Sequence, residues 1–285
     1  MVSRSALYKE CSELMKNCGT DDAEYDAMCI FQDVLGEKNP LFRPLEAVEE
    51  RDEQLIRIMT KRRCSGEPLQ YILGEWEFYG YPFKVGKGVL IPRPDTETLI
   101  EQVLDICRSE HLEAPRIADL CAGSGCIAVT LKKQLPNAEV TAVELSDAAM
   151  DYLKQNVSLN SADIRIIKGD VLSPETAALF GDMDIIVSNP PYLTQEDMDT
   201  LQEEVTHEPS SALFGGGDGL DFYRRMTPLW KTTLKNNGWL CYEFGMGQHD
   251  DVKNILAGNG FKNITLRRDL GGIIRTAAAQ IQEDK

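Results

Sequence analysis

The residues with the most chemical content fall in four short runs, and the most informative is Ser188-Asn189-Pro190-Pro191-Tyr192. Two prolines fix the backbone and present carbonyl acceptors without adding N–H donors. Asn189 brings a side-chain amide that donates and accepts, and Tyr192 brings a flat π face. Together they suit a planar –NH2 group on a conjugated carbon; a rigid Asn-Pro-Pro turn is the competing reading. A second run, Asp119-Leu120-Cys121-Ala122-Gly123-Ser124-Gly125, has the pattern D-x-x-x-G-x-G. Its glycines let the backbone turn sharply and let a ligand lie against it. It is neither a GxGxxG fingerprint nor a phosphate-binding Walker loop, because no Lys-Ser/Thr follows. Glu144 closes the third run, Ala142-Val143-Glu144. A carboxylate there can accept hydrogen bonds from both hydroxyls of a ribose, in competition with a plain helix-capping role. The fourth run is Gly169-Asp170-Val171, where Asp170 is also a candidate cap before Ser173-Pro174.

These runs need a scaffold that gathers them. From Arg116 onward, strand candidates alternate with helical stretches: Arg116–Leu120, Glu139–Glu144, Ile164–Lys168, Asp184–Ser188, Trp239–Phe244, Ile264–Arg267 and Arg275–Gln280, with helices at Gly125–Gln134, Asp147–Asn160, Asp221–Lys235 and His249–Gly258. Such alternation predicts a largely parallel sheet covered on both faces, with the last two strands an antiparallel pair at one edge. Each of the four runs then sits at the carboxyl end of a strand, where ligands of open α/β sheets bind. The single β–α unit between the glycine run and Glu144 favours the ribose role for Glu144. Before the sheet, Trp76–Ile91 is rich in aromatic and β-branched residues with interspersed glycines and reads as a β-hairpin. Arg93-Pro94-Asp95 opens a helix with Asp95 as its N-cap and an apolar stripe of Leu99, Ile100, Val103, Leu104 and Cys107. The first 70 or so residues read as a small helical bundle. Its stripes are Leu7, Cys11, Leu14 and Met15, then Tyr25, Met28, Cys29 and Gln32, then Leu55, Ile56 and Met59. Leu14 and Met28 are expected in its core, and Lys61-Arg62-Arg63 is its clearest basic cluster, which is either a partner contact or a solvated helix end.

Composition narrows the function classes. A net charge of −16 argues against non-specific grip on a phosphate backbone. No apolar run approaches the roughly 18 residues of a membrane span, and Met1–Asn17 has no apolar signal core, so a cytoplasmic protein is expected. The 8 cysteines form no CxxC pair and the 3 histidines are far apart, so neither a disulfide framework nor a metal site is expected.

The D-x-x-x-G-x-G run is similar to the first motif of S-adenosylmethionine methyltransferases, and its combination with Asn189-Pro190-Pro191-Tyr192 resembles the class I enzymes that methylate planar amino groups. Gln70–Gly80 (QYILGEWEFYG) and Leu90–Glu97 (LIPRPDTE) resemble the linker and the RPETE-type element of the peptide chain release factor glutamine methyltransferases. Gly217–Arg225 and Asp269-Leu270-Gly271-Gly272…Arg275 fit the same family. The resemblance covers essentially the whole chain. It implies a fold of class α/β: a seven-stranded, Rossmann-like S-adenosylmethionine-dependent methyltransferase domain over residues 93–285, preceded by a helical substrate-recognition domain over 1–74 and a β-hairpin linker over 75–92. It further implies S-adenosyl-L-methionine as cofactor, S-adenosyl-L-homocysteine as product, release factors as partners, and methylation of the Gln in their Gly-Gly-Gln loop.

Carried over by position, the resemblance places Asp119, Cys121, Ala122, Gly123, Ser124 and Gly125 at the methionine end of the cofactor, Glu144 at the ribose, and Asp170 and Val171 beside the adenine. Many relatives carry an aromatic near Val171, so adenine stacking would be weaker here. Asn189 would meet both cofactor and substrate, with Pro190, Pro191 and Tyr192 completing the glutamine pocket. The mechanism expected from these residues is direct in-line transfer. The Asn189 side-chain oxygen and the Pro190 carbonyl would accept the two amide hydrogens while Tyr192 packs on the amide plane. Asn189, Pro190 and Tyr192 are thus the catalytic candidates, with no metal and no nucleophilic Ser or Cys. The rivals are a ribosomal-protein glutamine methyltransferase, a nucleic-acid adenine-N6 methyltransferase, which the acidic charge and the WEFYG and RPDTE elements oppose, and a non-enzymatic nucleoside-binding module.

Overall fold

The computed structural model describes residues 2–282. These fall into two compact units: one runs to Glu75 and adds Gln202–His207, and the other comprises Trp76–Leu201 and the chain from Glu208 on.

The first unit is built from α1 (Arg4–Asn17), α2 (Ala23–Leu35), α3 (Glu50–Cys64) and the short α4 (Leu69–Leu73). The Ser3 side chain caps α1 by accepting from the Ala6 N–H, and Gly36 ends α2 in the left-handed conformation. Leu7, Cys11, Met15, Ile30, Phe31, Ile56 and Met59 fill the core. The expected stripe on α2 is corrected. Ala23, Asp26, Ala27, Ile30 and Phe31 face inward, while Tyr25 is exposed, Met28 only half-buried, and Leu14 on α1 exposed. The reason is a carboxylate on the buried face: Asp26 accepts from Arg63 Nε at 2.6 Å, with both side chains 7% exposed. Arg63 also pairs with Glu204, which ties Gln202–His207 into this unit. Arg62 pairs with Glu67 at 2.6 Å. The Lys61-Arg62-Arg63 run is therefore in good part internal ion pairing rather than an open basic patch. Such a buried pair adds little net stability, but removing one partner strands the other.

The second unit begins, from Trp76 on, with the hairpin of β1 (Glu75–Phe78) and β2 (Tyr81–Lys84). Tyr79 and Gly80 both have positive φ, 53° and 77°, the signature of a type I′ turn. Phe78 and Phe83 pack into the same core as Leu99, Ile100 and Val103. Val85–Ile91, expected as strand, is irregular instead. The predicted N-cap also shifts: Asp95 lies inside a 3-10 turn, Pro94–Thr96, and α5 (Glu97–Ser109) starts after it. There follow β3 (Arg116–Leu120), α6 (Cys126–Gln134), β4 (Glu139–Glu144), α7 (Asp147–Leu159), β5 (Ile164–Lys168), α8 (Pro174–Ala177), β6 (Met183–Ser188), α9 (Gln195–Asp199), α10 (Asp221–Lys231), β7 (Leu234–Glu243), α11 (His249–Gly258), β8 (Phe261–Arg268) and β9 (Ile274–Ile281).

The seven strands from β3 on form one sheet in the order β5-β4-β3-β6-β7-β9-β8. The first five in that order are parallel, and β9 runs antiparallel to both β7 and β8. Leu99, Val103, Ile127 and Leu153 cover one face, and Tyr223, Trp230, Val252 and Leu256 the other. Strand order reverses between β3 and β6, which opens a crevice at their carboxyl ends. No helix among the described residues is long and apolar enough to cross a membrane. All eight cysteines are free thiols.

Candidate active site

At that crevice lies a cavity of about 510 Å³. Of the residues expected at a site, Cys121, Ala122, Gly123, Ser124, Glu144, Asp170, Val171, Asn189 and Pro191 line it. Asp119, Gly125, Pro190 and Tyr192 do not lie in its wall. Asp119 is wholly buried at the end of β3 and accepts from the Ala128 N–H at 3.0 Å, so it satisfies an orphan donor in the first turn of α6. Burial pushes its carboxyl up to about 8, which the Ala128 bond only partly offsets.

The loop from β3 to α6 turns through three left-handed residues, Cys121, Gly123 and Gly125, at φ 60°, 54° and 81°. For Cys121 this conformation is strained. Two side chains hold the loop there. Glu144 Oε2 accepts from the Gly123 N–H at 2.8 Å, and Asn156 Nδ2 donates to the Ser124 carbonyl at 2.8 Å. Asn156 also donates to the Lys84 carbonyl and accepts from its N–H, so α7 ties the hairpin to the loop. The other oxygen of Glu144 accepts from the N–H groups of Leu145 and Ser146, at 2.8 and 2.7 Å. Gly125 is the N-cap of α6, and a Cβ there would run into Leu153 Cδ1. The variant Gly125→Ala is expected to lose about 2 kcal/mol of stability, from the left-handed backbone and the overpacking together. Urea unfolding checks this; an unchanged midpoint would mean the loop relaxes freely.

The turn after β6 is fixed just as firmly. Ser188 Oγ donates to the Leu120 carbonyl at 2.7 Å, which locks the ends of β3 and β6 together. The Tyr192 carbonyl accepts from Gln248 Nε2 at 2.9 Å. Leu193 exchanges backbone hydrogen bonds with Leu213 and Gly215, and a Cβ at Gly215 would stand 2.6 Å from both the Pro191 carbonyl and Tyr192 Cα. The loop through Gly215 therefore backs directly onto Pro191 and Tyr192. The Asn189 Nδ2 group donates to Glu243 Oε1 at 2.9 Å and to Thr96 Oγ1 at 3.3 Å. An ionised carboxylate only accepts, so this contact orients the amide, and Asn189 Oδ1 accepts no hydrogen bond among the described residues. The half-buried Tyr192 lies behind the wall, where burial and Glu243 push its phenol up.

Several residues of the site carried no signal in the four runs. Val89, Leu90, Ile91, Pro92, Arg93 and Thr96 supply one wall. Glu208 holds that wall in place: its Oε2 accepts from the Ile91 N–H at 3.0 Å, and its Oε1 pairs with Arg93. Leu145, Leu172 and Phe222 add apolar surface to the lining, as does Val171, whose carbonyl accepts from Trp230 Nε1 at 2.7 Å. Phe222 brings an aromatic side chain to the cavity lining from outside the four runs. A cavity with apolar lining residues, a carboxylate at the second strand end and a glycine turn at the first suits a ligand with both an apolar ring and polar hydroxyl and amino-acid groups.

Comparison with known proteins shows the family. Residues 96–226 match the family model described as methyltransferase small domain, and residues 6–74 match the PrmC N-terminal domain. A release factor glutamine methyltransferase of Fusobacterium nucleatum is 38% identical over 96% of this chain and 78% of its own. One from Clostridium acetobutylicum is 37% identical over 98% of both chains. The chain belongs to the release factor glutamine methyltransferase family. As a member of that family it is a class I N-methyltransferase. A solved methyltransferase of Pyrococcus furiosus, 15% identical, superposes on 72% of this chain and 91% of its own with a TM-score of 0.54, which bears on the fold alone.

Proposed function

We propose that this enzyme transfers a methyl group from S-adenosylmethionine to the side-chain amide nitrogen of the Gln in the Gly-Gly-Gln loop of a peptide chain release factor. One observation carries the reading: Asn189 stands in the wall of the cavity that also holds the glycine turn and Glu144, with its amide hydrogens committed to Glu243 and Thr96 and its oxygen free to accept. The names of the relatives support the substrate.

In this reading Cys121, Ala122, Gly123 and Ser124 meet the methionine end of the cofactor, with Asp119 and Gly125 holding that loop from behind. Glu144 receives the ribose hydroxyls, and Asp170 and Val171 lie beside the adenine. When bound, S-adenosylmethionine supplies an electrophilic methyl on a sulfonium. The amide nitrogen is a poor nucleophile because its lone pair is delocalised into the carbonyl. Asn189 Oδ1 in the cavity wall accepts one of its hydrogens; the Pro190 carbonyl, which lies outside that wall, is proposed to accept the other at the rim the substrate enters, with Pro191 in the wall and Tyr192 backing it. Hydrogen bonds that strengthen as the nitrogen becomes pyramidal favour the transition state over the ground state. Holding the reactants near attack geometry contributes as much as about 7–11 kcal/mol. The proton leaves after transfer, so no strong base is required. Residues 1–74 are assigned to substrate recognition and residues 75–92 to the linker, and the substrate places the enzyme in the cytoplasm.

The test is methyl transfer from labelled S-adenosylmethionine to four acceptors: a release factor, its Gly-Gly-Gln Gln→Ala variant, a ribosomal protein and DNA. Label on the intact release factor alone is expected. Equal label on the Gln→Ala variant, or label on DNA, would overturn the assignment.

A further inference from the structure

Glu243 ends β7, two strands away from the glycine loop, and is 1% exposed. Nothing in the four chemistry-bearing runs points to it, and it is separated by more than fifty residues from Asn189 in sequence. Its Oε1 accepts from Asn189 Nδ2 at 2.9 Å. Thr96 Oγ1 takes part in the same cluster, facing both Asn189 and Glu243. Glu243 Oε2 is buried and has no hydrogen-bond partner among the described residues, so the carboxyl is incompletely satisfied. Its own backbone is held in turn by the Tyr223 hydroxyl, which donates to the Glu243 carbonyl at 2.8 Å.

We infer that Glu243 is a positioning residue for methyl transfer: as a carboxylate it locks the Asn189 amide with its oxygen toward the cavity. The inference rests on the function proposed above and adds a residue to it. The physical argument has two steps. First, an ionised carboxylate can only accept, so it fixes which end of the Asn189 amide faces it. A protonated Glu243 can donate, tolerates the flipped amide, and then leaves an NH2 group, a donor, where the substrate amide needs an acceptor. Second, a charge-assisted bond to Nδ2 polarises the Asn189 amide and makes Oδ1 the stronger acceptor.

The protonation state of Glu243 is accordingly set within the working range. Burial pushes its carboxyl up to about 7, and Asp95 pushes the same way. Thr96, Arg275 and Asn189 pull it down. Tyr192 from the turn after β6, Tyr223 from α10 and Cys126 from α6 also feel its charge, and all three are themselves pushed up as neutral groups. Among these neighbours Glu243 is the group placed to change charge near neutrality. The sign follows: the locked, acceptor-out amide is populated above pH of about 7 and lost as pH falls through it.

Two measurements test this on the full-length protein. In protein labelled with 15N at asparagine, the Asn189 side-chain NH2 signals are assigned by their loss in Asn189→Ala. They are expected to titrate with a midpoint near 7, and to lose that titration in Glu243→Gln. In single-turnover methyl transfer, wild type is expected to gain rate through the same midpoint. Glu243→Gln keeps an acceptor but no charge; it is expected to lose about tenfold at pH 8 and the limb near neutrality, while Glu243→Ala loses about 100-fold. Affinity for S-adenosylhomocysteine, measured by calorimetry, should stay within about threefold in both variants, which separates positioning from collapse of the site. Asn189 signals that do not move between pH 5.5 and 8.5, or a Glu243→Gln enzyme with wild-type rate and pH profile, would overturn the inference. A wild-type enzyme that leaves release factor unlabelled would strike the proposed substrate instead, and the Asn189 titration would still decide whether Glu243 governs the amide.

Discussion

Replacing Asn189 with alanine is expected to lower single-turnover methyl transfer by about 10³-fold while leaving S-adenosylhomocysteine affinity within about threefold. The size follows from what the side chain does. Asn189 contributes one face to the cavity and commits both amide hydrogens to Glu243 and Thr96. Its oxygen is thus preorganised before any substrate arrives, so no reorganisation is needed at the moment of reaction. Removing one such preorganised partner from a desolvated site costs about 10²–10³ in rate in comparable cases, and the upper end applies because Glu243 also loses a donor. The cofactor contacts proposed for Glu144 and the glycine loop are untouched, which is why binding should survive. The variant Asn189→Asp makes a complementary test. It sets a second carboxylate against Glu243, and two carboxyls at that distance share a proton rather than both ionising. An oxygen is still available to accept, but the Nδ2 donations to Glu243 and Thr96 that aim it are gone, so this variant should be slower than wild type and faster than alanine near neutrality. Undiminished transfer by Asn189→Ala would remove the proposed mechanism.

How far the sequence went toward this site can be read from individual residues. The strands β3, β4 and β5 were legible to the residue, because each is a short run bounded by loop residues and ends in a chemically distinctive group. The start of β7 was not. Leu234–Gly238 reads Leu-Lys-Asn-Asn-Gly, and the register against β6 shifts there, with Asn237 at φ 65°. Polar, irregular strand ends carry no alternation to detect. Val85–Ile91 failed in the opposite sense. Its apolar residues suggested a strand, but Val89, Leu90 and Ile91 are apolar because they wall a cavity. On α2, the inward face was obscured by Asp26, whose partner Arg63 lies on another helix. The same limitation hid Glu243, Thr96 and Glu208. Each acts through a hydrogen bond to a residue more than fifty positions away, and hydrophobic periodicity holds no record of such contacts. Spacing and resemblance singled out strand-end residues of which Cys121, Ala122, Gly123, Ser124, Glu144, Asp170, Val171, Asn189 and Pro191 line the cavity, whereas Glu243 and Glu208, which hold its wall through long-range hydrogen bonds, carry no such signal.

In the function proposed above Glu144 both closes the glycine turn and receives the ribose, and on that proposal its removal is expected to weaken S-adenosylhomocysteine binding by about 10²–10³-fold. An ionised carboxylate has roughly four acceptor positions. Three are engaged by backbone N–H groups, those of Gly123, Leu145 and Ser146. What remains faces a cavity in which Leu145 and Val171 supply apolar surface, and a ribose diol must take that remainder or share with Gly123. In Glu144→Ala the ribose loses its acceptor, at about 1.5–3 kcal/mol for each bond to a charged group, and the Gly123 N–H loses the contact that holds the left-handed turn at Cys121–Gly125. Glu144→Gln separates the two effects. One oxygen still accepts, but its NH2 group must face either the Gly123 N–H or those of Leu145 and Ser146, and donors facing donors open the loop. Its loss should therefore approach that of alanine rather than lie near wild type. Calorimetric titration of both variants, with circular dichroism to confirm the fold, decides the matter. Affinity within about threefold of wild type in Glu144→Ala would mean that the carboxylate only closes the turn between β4 and α7, the plain capping role that competes with ribose recognition at that strand end.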